Sequence, residues 1–93
     1  MHISIIIPTF HRNKDLQLCL NSLSVQKNPV HQIIIIDNAG DTTTKDICKS
    51  YPSLPIVYHH FQINSGAKAR NRGIKNLPPD TDVVVFIDDD TTF

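Results

Sequence analysis

Val83-Val84-Val85-Phe86-Ile87-Asp88-Asp89-Asp90 is a five-residue apolar run that stops at three consecutive carboxylates. A run this short and β-branched reads as a strand buried on both faces, whose carboxyl end delivers the acids to one edge of a sheet. In open α/β sheets that edge is where ligands sit. Three adjacent anions repel one another unless a cation or hydrogen-bond donors neutralise them, so the stretch points to a divalent-metal site.

Working back from that strand, three more β-rich runs recur: Ile3 to Ile7, Gln32 to Ile36 and Ile56 to His59. They are continuous rather than alternating, which favours a parallel sheet covered on both sides. The segments between them are long enough for right-handed crossover helices. Asn13 is placed to cap the first, with Leu16, Leu20 and Leu23 at helical spacing and an end near Asn28-Pro29. Thr42 to Tyr51 reads as a second helix, capped by Asp41 and closed by Pro52. Ser65 is placed to cap a third that runs to Leu77 and stops at Pro78-Pro79. The expected order is β-α-β-α-β-α-β in one α/β domain over residues 1–93, with helices on both faces.

The 93 residues suit one small domain that buries roughly 60–65% of its unfolded surface. The chain is 40% hydrophobic and 19% charged, with nine Lys+Arg against nine Asp+Glu, so no bulk field steers it to nucleic acid or an anionic membrane. Ile5 to Ile7 and Ile33 to Ile36 are too short to span a bilayer, and His2-Ile3-Ser4 lacks a basic leader start. A cytoplasmic location is expected, with membrane association left open for a longer protein. Cys19 and Cys48 have neither metal-site spacing nor disulfide density and read as reduced packing residues.

The alternation gathers the strand-to-helix turns at one edge, and the chemically suggestive residues fall there. Pro8-Thr9-Phe10-His11-Arg12 offers a hydroxyl and an aromatic on which a nucleobase can pack, although an ordinary turn with a core-facing Phe has the same residues. Asp37-Asn38-Ala39-Gly40-Asp41 places an acid after the second strand, where ligand N–H or hydroxyl groups are commonly bound; Asp, Asn and Gly are also standard turn formers. In Asn64-Ser65-Gly66-Ala67-Lys68-Ala69-Arg70-Asn71-Arg72-Gly73, the small residues Gly66, Ala69 and Gly73 let one side of a helix approach sheet or ligand closely. Arg70 sits among them near a helix N-terminus, which disfavours cations and so implies an anionic or carbonyl partner; a solvated basic face is the plainer alternative. His11, His31, His59 and His60 share no spacing of a metal-binding helix and are assigned no role. There is no Gly-rich phosphate loop and no Gly-x-Ser-x-Gly elbow.

These four motifs, in this order and covering essentially the whole chain, resemble family 2 glycosyltransferases of the GT-A fold. The resemblance implies a Rossmann-like parallel sheet in spatial order 3-2-1-4, the nucleotide-sugar-binding half of such a domain. It further implies that Pro8, Thr9, Phe10, Arg12, Asp37, Asn38, Gly66 and Arg70 bind the nucleotide. Asp88-Asp89-Asp90 then corresponds to the Asp-x-Asp signature: Asp88 and Asp89 on the substrate, Asp90 with Asp88 on Mn²⁺ or Mg²⁺ bridging the diphosphate. Implied partners are a nucleoside-diphosphate sugar, a UDP-sugar foremost, and a glycan or lipid-linked acceptor, as in polysaccharide biosynthesis with inversion. Asn38 stands where the family often has a second acid, and Ala39 replaces a more usual Gly or Asn, which leaves base selectivity open. Family members continue into an acceptor-binding half, so the catalytic general base is expected beyond Phe93. The segment by itself is then expected to be inactive and to self-associate through a sheet edge. Two alternatives stand beside this: a non-catalytic nucleotide-binding module, and a haloacid-dehalogenase-like phosphatase, whose Asp-x-Asp-x-Thr signature Asp88 to Thr92 also fits.

Overall fold

The computed structural model describes residues 2–26, 30–40, 42–61 and 66–88. Seven elements follow in the order β1 (Ile3–Thr9), α1 (Asn13–Ser24), β2 (Gln32–Asp37), α2 (Thr42–Lys49), β3 (Ile56–His60), α3 (Gly66–Lys75) and β4 (Val83–Phe86). The strands form one sheet in the order β3-β2-β1-β4, and every pairing is parallel. The alternation and the spatial order are both those expected.

Successive side chains on a strand point to opposite faces, so a continuous apolar strand needs cover on both. Ile5, Ile7, Ile33 and Ile35 pack on one face with Leu16, Cys19, Leu20 and Leu23 of α1 and Cys48 of α2. Ile6, Ile34 and Ile36 pack on the other with Ala69 of α3. The third helix gets close because it is trimmed: a Cβ added at Gly73 would stand 2.5 Å from Cγ2 of Ile6. That glycine therefore sets the distance between α3 and the centre of the sheet.

Element ends depart from expectation in ways the hydrogen bonds explain. Arg12, not Asn13, occupies the N-cap position of α1, and no side chain caps it. Asn13 is the first helical residue, and its Oδ1 accepts the hydroxyl of Thr44 at 2.5 Å, which ties α1 to α2. The second helix ends at Lys49; Tyr51 lies beyond it and donates its hydroxyl to Asn21 Oδ1 at 2.7 Å. At the end of α3, Asn76 and Leu77 donate their amides to Gly73 and Ile74, a tightened turn that closes the helix at Lys75, before Leu77. Asp41 and Ser65, expected as caps, lie outside the described residues, as does Phe93, the residue beyond which the general base is expected.

The larger correction concerns β4. It is not buried on both faces: Val83, Val85 and Phe86 are 38%, 36% and 45% exposed. The helices lie over β1, β2 and β3, and β4 is the outer strand beyond β1, so its β-branched run reports a strand without reporting its cover. Ile87, just past it, turns in to join the α1 side of the core.

Gly73→Ala should destabilise the fold by about 1–3 kcal/mol, because Ile6 is enclosed and cannot yield to an added methyl. Urea unfolding followed by circular dichroism measures this; an unchanged midpoint would show that α3 can lift from the sheet.

Candidate functional site

Parallel pairing carries the chain ends of β1, β2 and β3 to one edge, with Thr9 opposite Asp37 and Asp37 opposite His60. Backbone bonds extend this alignment past the strands: Asn38 donates to the Thr9 carbonyl and Phe61 to the Asp37 carbonyl, each at 2.9 Å. Pro8 and Thr9 are strand residues rather than turn residues. The even-numbered groups of β1 face β4, as the Ile87 amide bond to the Ile6 carbonyl shows, and β4 has ended by the level of Pro8. A residue without an N–H is therefore tolerated there. His11 follows with φ of 53°, an uncommon left-handed turn for a non-glycine residue. The ring of Phe10 is 41% exposed and packs edge-on against His11, with centroids 4.5 Å apart.

Asp37 is the electrostatic centre of this edge. It is fully buried, and a buried carboxylate is costly unless hydrogen-bonded. Its Oδ2 accepts the Tyr58 hydroxyl at 2.5 Å, and its Oδ1 accepts the Ala39 amide at 3.0 Å. Both oxygens thus have protein donors, and the carboxylate is held in one orientation. Tyr58 was not singled out from the sequence. Its signal was period two on β3: His60 lies opposite Asp37, so Tyr58, two residues earlier, is the diagonal neighbour on the same face. Burial, and then the negative charge of Asp37, push the Cys48 thiol up to about 11, so it stays protonated and unreactive near neutral pH.

Gly40 has φ of +68°, and a Cβ there would collide with the His60 ring, so the turn after β2 presses directly on the end of β3. Across the edge, Arg70 on α3 places its Nη2 3.6 Å from Oδ1 of Asp88, just beyond β4. Arg70 does have an anionic partner, and it belongs to the acidic stretch. With both side chains substantially exposed, this pair adds only about 0–1 kcal/mol to stability, so what it contributes is placement. Asn38 is buried beside Asp37, and Gly66 opens α3. Arg12 is not drawn into the cluster; it lies 3.7 Å from Asp15 along its own helix. Asp89 and Asp90 lie outside the described residues. Asp88 is an exposed hard-oxygen ligand, the donor type that Mg²⁺ and Mn²⁺ take.

The sequence profile of glycosyl transferase family 2 matches residues 4–93. The chain belongs to that family. Over its whole length it is 37% identical to an uncharacterized glycosyltransferase of Bacillus subtilis, YwdF, and spans 34% of that protein. In structure it is similar to Staphylococcus aureus TarS solved with UDP-GlcNAc, with a TM-score of 0.80, 29% identity, and 97% of this chain matched to 27% of that one. A mannosyltransferase from Pyrobaculum calidifontis, solved with GDP-Man and Mn²⁺, shares the fold at a TM-score of 0.84 and 17% identity, with 99% of this chain matched to 28% of that one. The fold is GT-A. The chain spans between 13% and 34% of the length of the curated relatives it matches.

Tyr58→Phe removes the donor to a buried carboxylate oxygen while keeping the ring. It should cost about 1–3 kcal/mol in unfolding free energy, measured by urea titration. A loss near zero would mean that water or another donor takes over at Oδ2.

Proposed function

We propose that the chain is the donor-binding part of a metal-assisted glycosyltransferase that moves a sugar, with inversion, from a nucleoside-diphosphate sugar to an acceptor hydroxyl. The observation that carries this reading is the meeting at one sheet edge of a fixed buried acid, Asp37, and an Arg70–Asp88 pair, in a chain of this family. TarS, with UDP-GlcNAc in its solved complex, makes a UDP-sugar the preferred donor.

Each residue then has a task its chemistry suits. Asp37, with Asn38 and Thr9 beside it, accepts hydrogen bonds from the nucleoside, and the exposed Phe10 ring is a platform for the base. Arg70 approaches the diphosphate from α3, where Gly66 lets backbone come close. Asp88 with Asp90 would hold Mn²⁺ or Mg²⁺, and Asp89 would contact the substrate. The cation supplies neutralisation of charge that builds on the departing nucleoside diphosphate. The acceptor is a glycan or lipid-linked hydroxyl whose general base lies beyond Phe93, and the full-length protein works in the cytoplasm or at its membrane. The phosphatase reading loses its ground because that signature typically follows the first strand of its domain, whereas Asp88 follows the fourth, and the upstream motifs already belong to the family match.

Calorimetric titration of the full-length protein with UDP, in the presence and absence of Mn²⁺, separates these roles. Asp90→Asn should lower Mn²⁺-supported UDP affinity by about tenfold or more by removing an anionic ligand oxygen. Asp37→Asn should weaken UDP binding while leaving the Mn²⁺ dependence intact. Unchanged Mn²⁺-supported binding in a folded Asp90→Asn protein would refute the metal assignment.

Residues 1–93 produced as a separate segment should associate through β4, which among the described residues presents an unpaired edge and exposed Val83, Val85 and Phe86. Light scattering should then show dimers or larger species that Val85→Lys reduces. A strictly monomeric segment at high concentration would count against this edge as an interface.

A further inference from the structure

The edge opposite the candidate nucleotide site gathers a second chemistry. Because β2, β1 and β4 are neighbours in parallel, the residues just before each strand lie side by side: His31 before β2, His2 before β1, and Asp80 to Asp82 before β4. The backbone holds them there. His31 donates its amide to the Ile3 carbonyl at 2.7 Å, Asp82 donates to the His2 carbonyl at 2.8 Å, and the His2 amide returns a bond to Asp82 Oδ2 at 2.7 Å. Within this frame the Asp80 carboxylate reaches both imidazoles, with Oδ1 3.1 Å from His31 Nε2 and Oδ2 3.2 Å from His2 Nδ1. The ligand atoms of His2, His31 and Asp80 all lie within 4.8 Å of one another.

We propose that His2, His31 and Asp80 form a zinc-binding site that pins the starts of β1 and β2 to the segment leading into β4, separate from the acids at the opposite edge. Two imidazoles and a carboxylate are a donor set suited to Zn²⁺, whereas Mg²⁺ takes oxygen ligands. A tetrahedral zinc with bonds of about 2.0 Å separates its ligand atoms by roughly 3.3 Å. The two imidazoles now meet different oxygens of Asp80, and the three ligand atoms, within 4.8 Å of one another, must draw together around one oxygen to reach that spacing. Three protein ligands leave one coordination position for water.

The arrangement of the two rings also defines what must move to bind zinc. The two rings are stacked, with centroids 4.3 Å apart and planes 14° from parallel. A metal lies in the plane of each imidazole that binds it, so the rings must swing out of the stack. Both have room to turn, being 50% and 31% exposed. His2 Nδ1 also lies 3.1 Å from the Asp80 carbonyl, to which it donates, so zinc binding through Nδ1 leaves the ring hydrogen on Nε2. Local spacing hides this site, because residues 2, 31 and 80 share no helix and meet only through strand order.

The test is calorimetric titration of the full-length protein, free of any affinity tag, with Zn²⁺ and separately with Mg²⁺. Histidine ring resonances are followed by NMR in parallel. One zinc per chain is expected at this site, with Mg²⁺ unable to substitute, and with shifts confined to His2 and His31. His31→Gln and Asp80→Asn should each weaken binding by at least about tenfold, with folding checked by circular dichroism. Absence of saturable zinc binding would overturn the proposal. So would zinc affinity that both folded variants retain, or that falls instead in His59→Gln.

Discussion

The rest of the structure depends on the parallel pairing of β1 with β2. Ile6, Ile7 and Ile33 to Ile36 are completely buried, and each such side chain is worth about 1.5–3 kcal/mol relative to exposure. A pair of strands this apolar has no face that can meet water. Helices must cover both sides, and right-handed crossovers then direct every strand toward the same edge. The site is a consequence of that covering: the end of β1 at Thr9 and the segments at Asn38 and Phe61 are laced together because the strands beneath them are in register.

At that edge polar contacts serve orientation. Asp37 ends the most buried strand, where an uncompensated charge would be prohibitive, and Tyr58 with the Ala39 amide compensates it. Cys48 remains a thiol because it is buried and, secondarily, because it lies near the same charge. Arg70 and Asp88 are handled differently. They face solvent, where ion pairing contributes little to stability, so the pair fixes where the two groups stand rather than how firmly the fold holds.

The two ends of the sheet therefore differ in kind. The carboxyl edge holds a buried acid, an exposed aromatic ring and an Arg–Asp pair; the amino edge holds two stacked histidines bridged by one carboxylate. The strand β4 joins them, since Asp80 and Asp82 precede it and Asp88 follows it. Among the described residues β4 is the least enclosed strand of the sheet.

Much of this was legible in the residues themselves. Continuous β-branched runs separated by helical spacing determine a covered parallel sheet, and motif order carries the family, because both are local patterns repeated along the chain. Gly73 and Ala69 could be read as a close-approach face, and Arg70 as a cation needing an anion. Three things were decided only by tertiary structure. Val83 to Phe86 look like a core strand, yet lie at the edge, since apolar composition records the need for cover and not its supply. Tyr58 reaches Asp37 through a diagonal across two strands. His2, His31 and Asp80 meet because β1 lies between β2 and β4. Contacts of this kind depend on which strands are neighbours and in what register, and that is set by the packing of the whole sheet rather than by any one stretch of sequence.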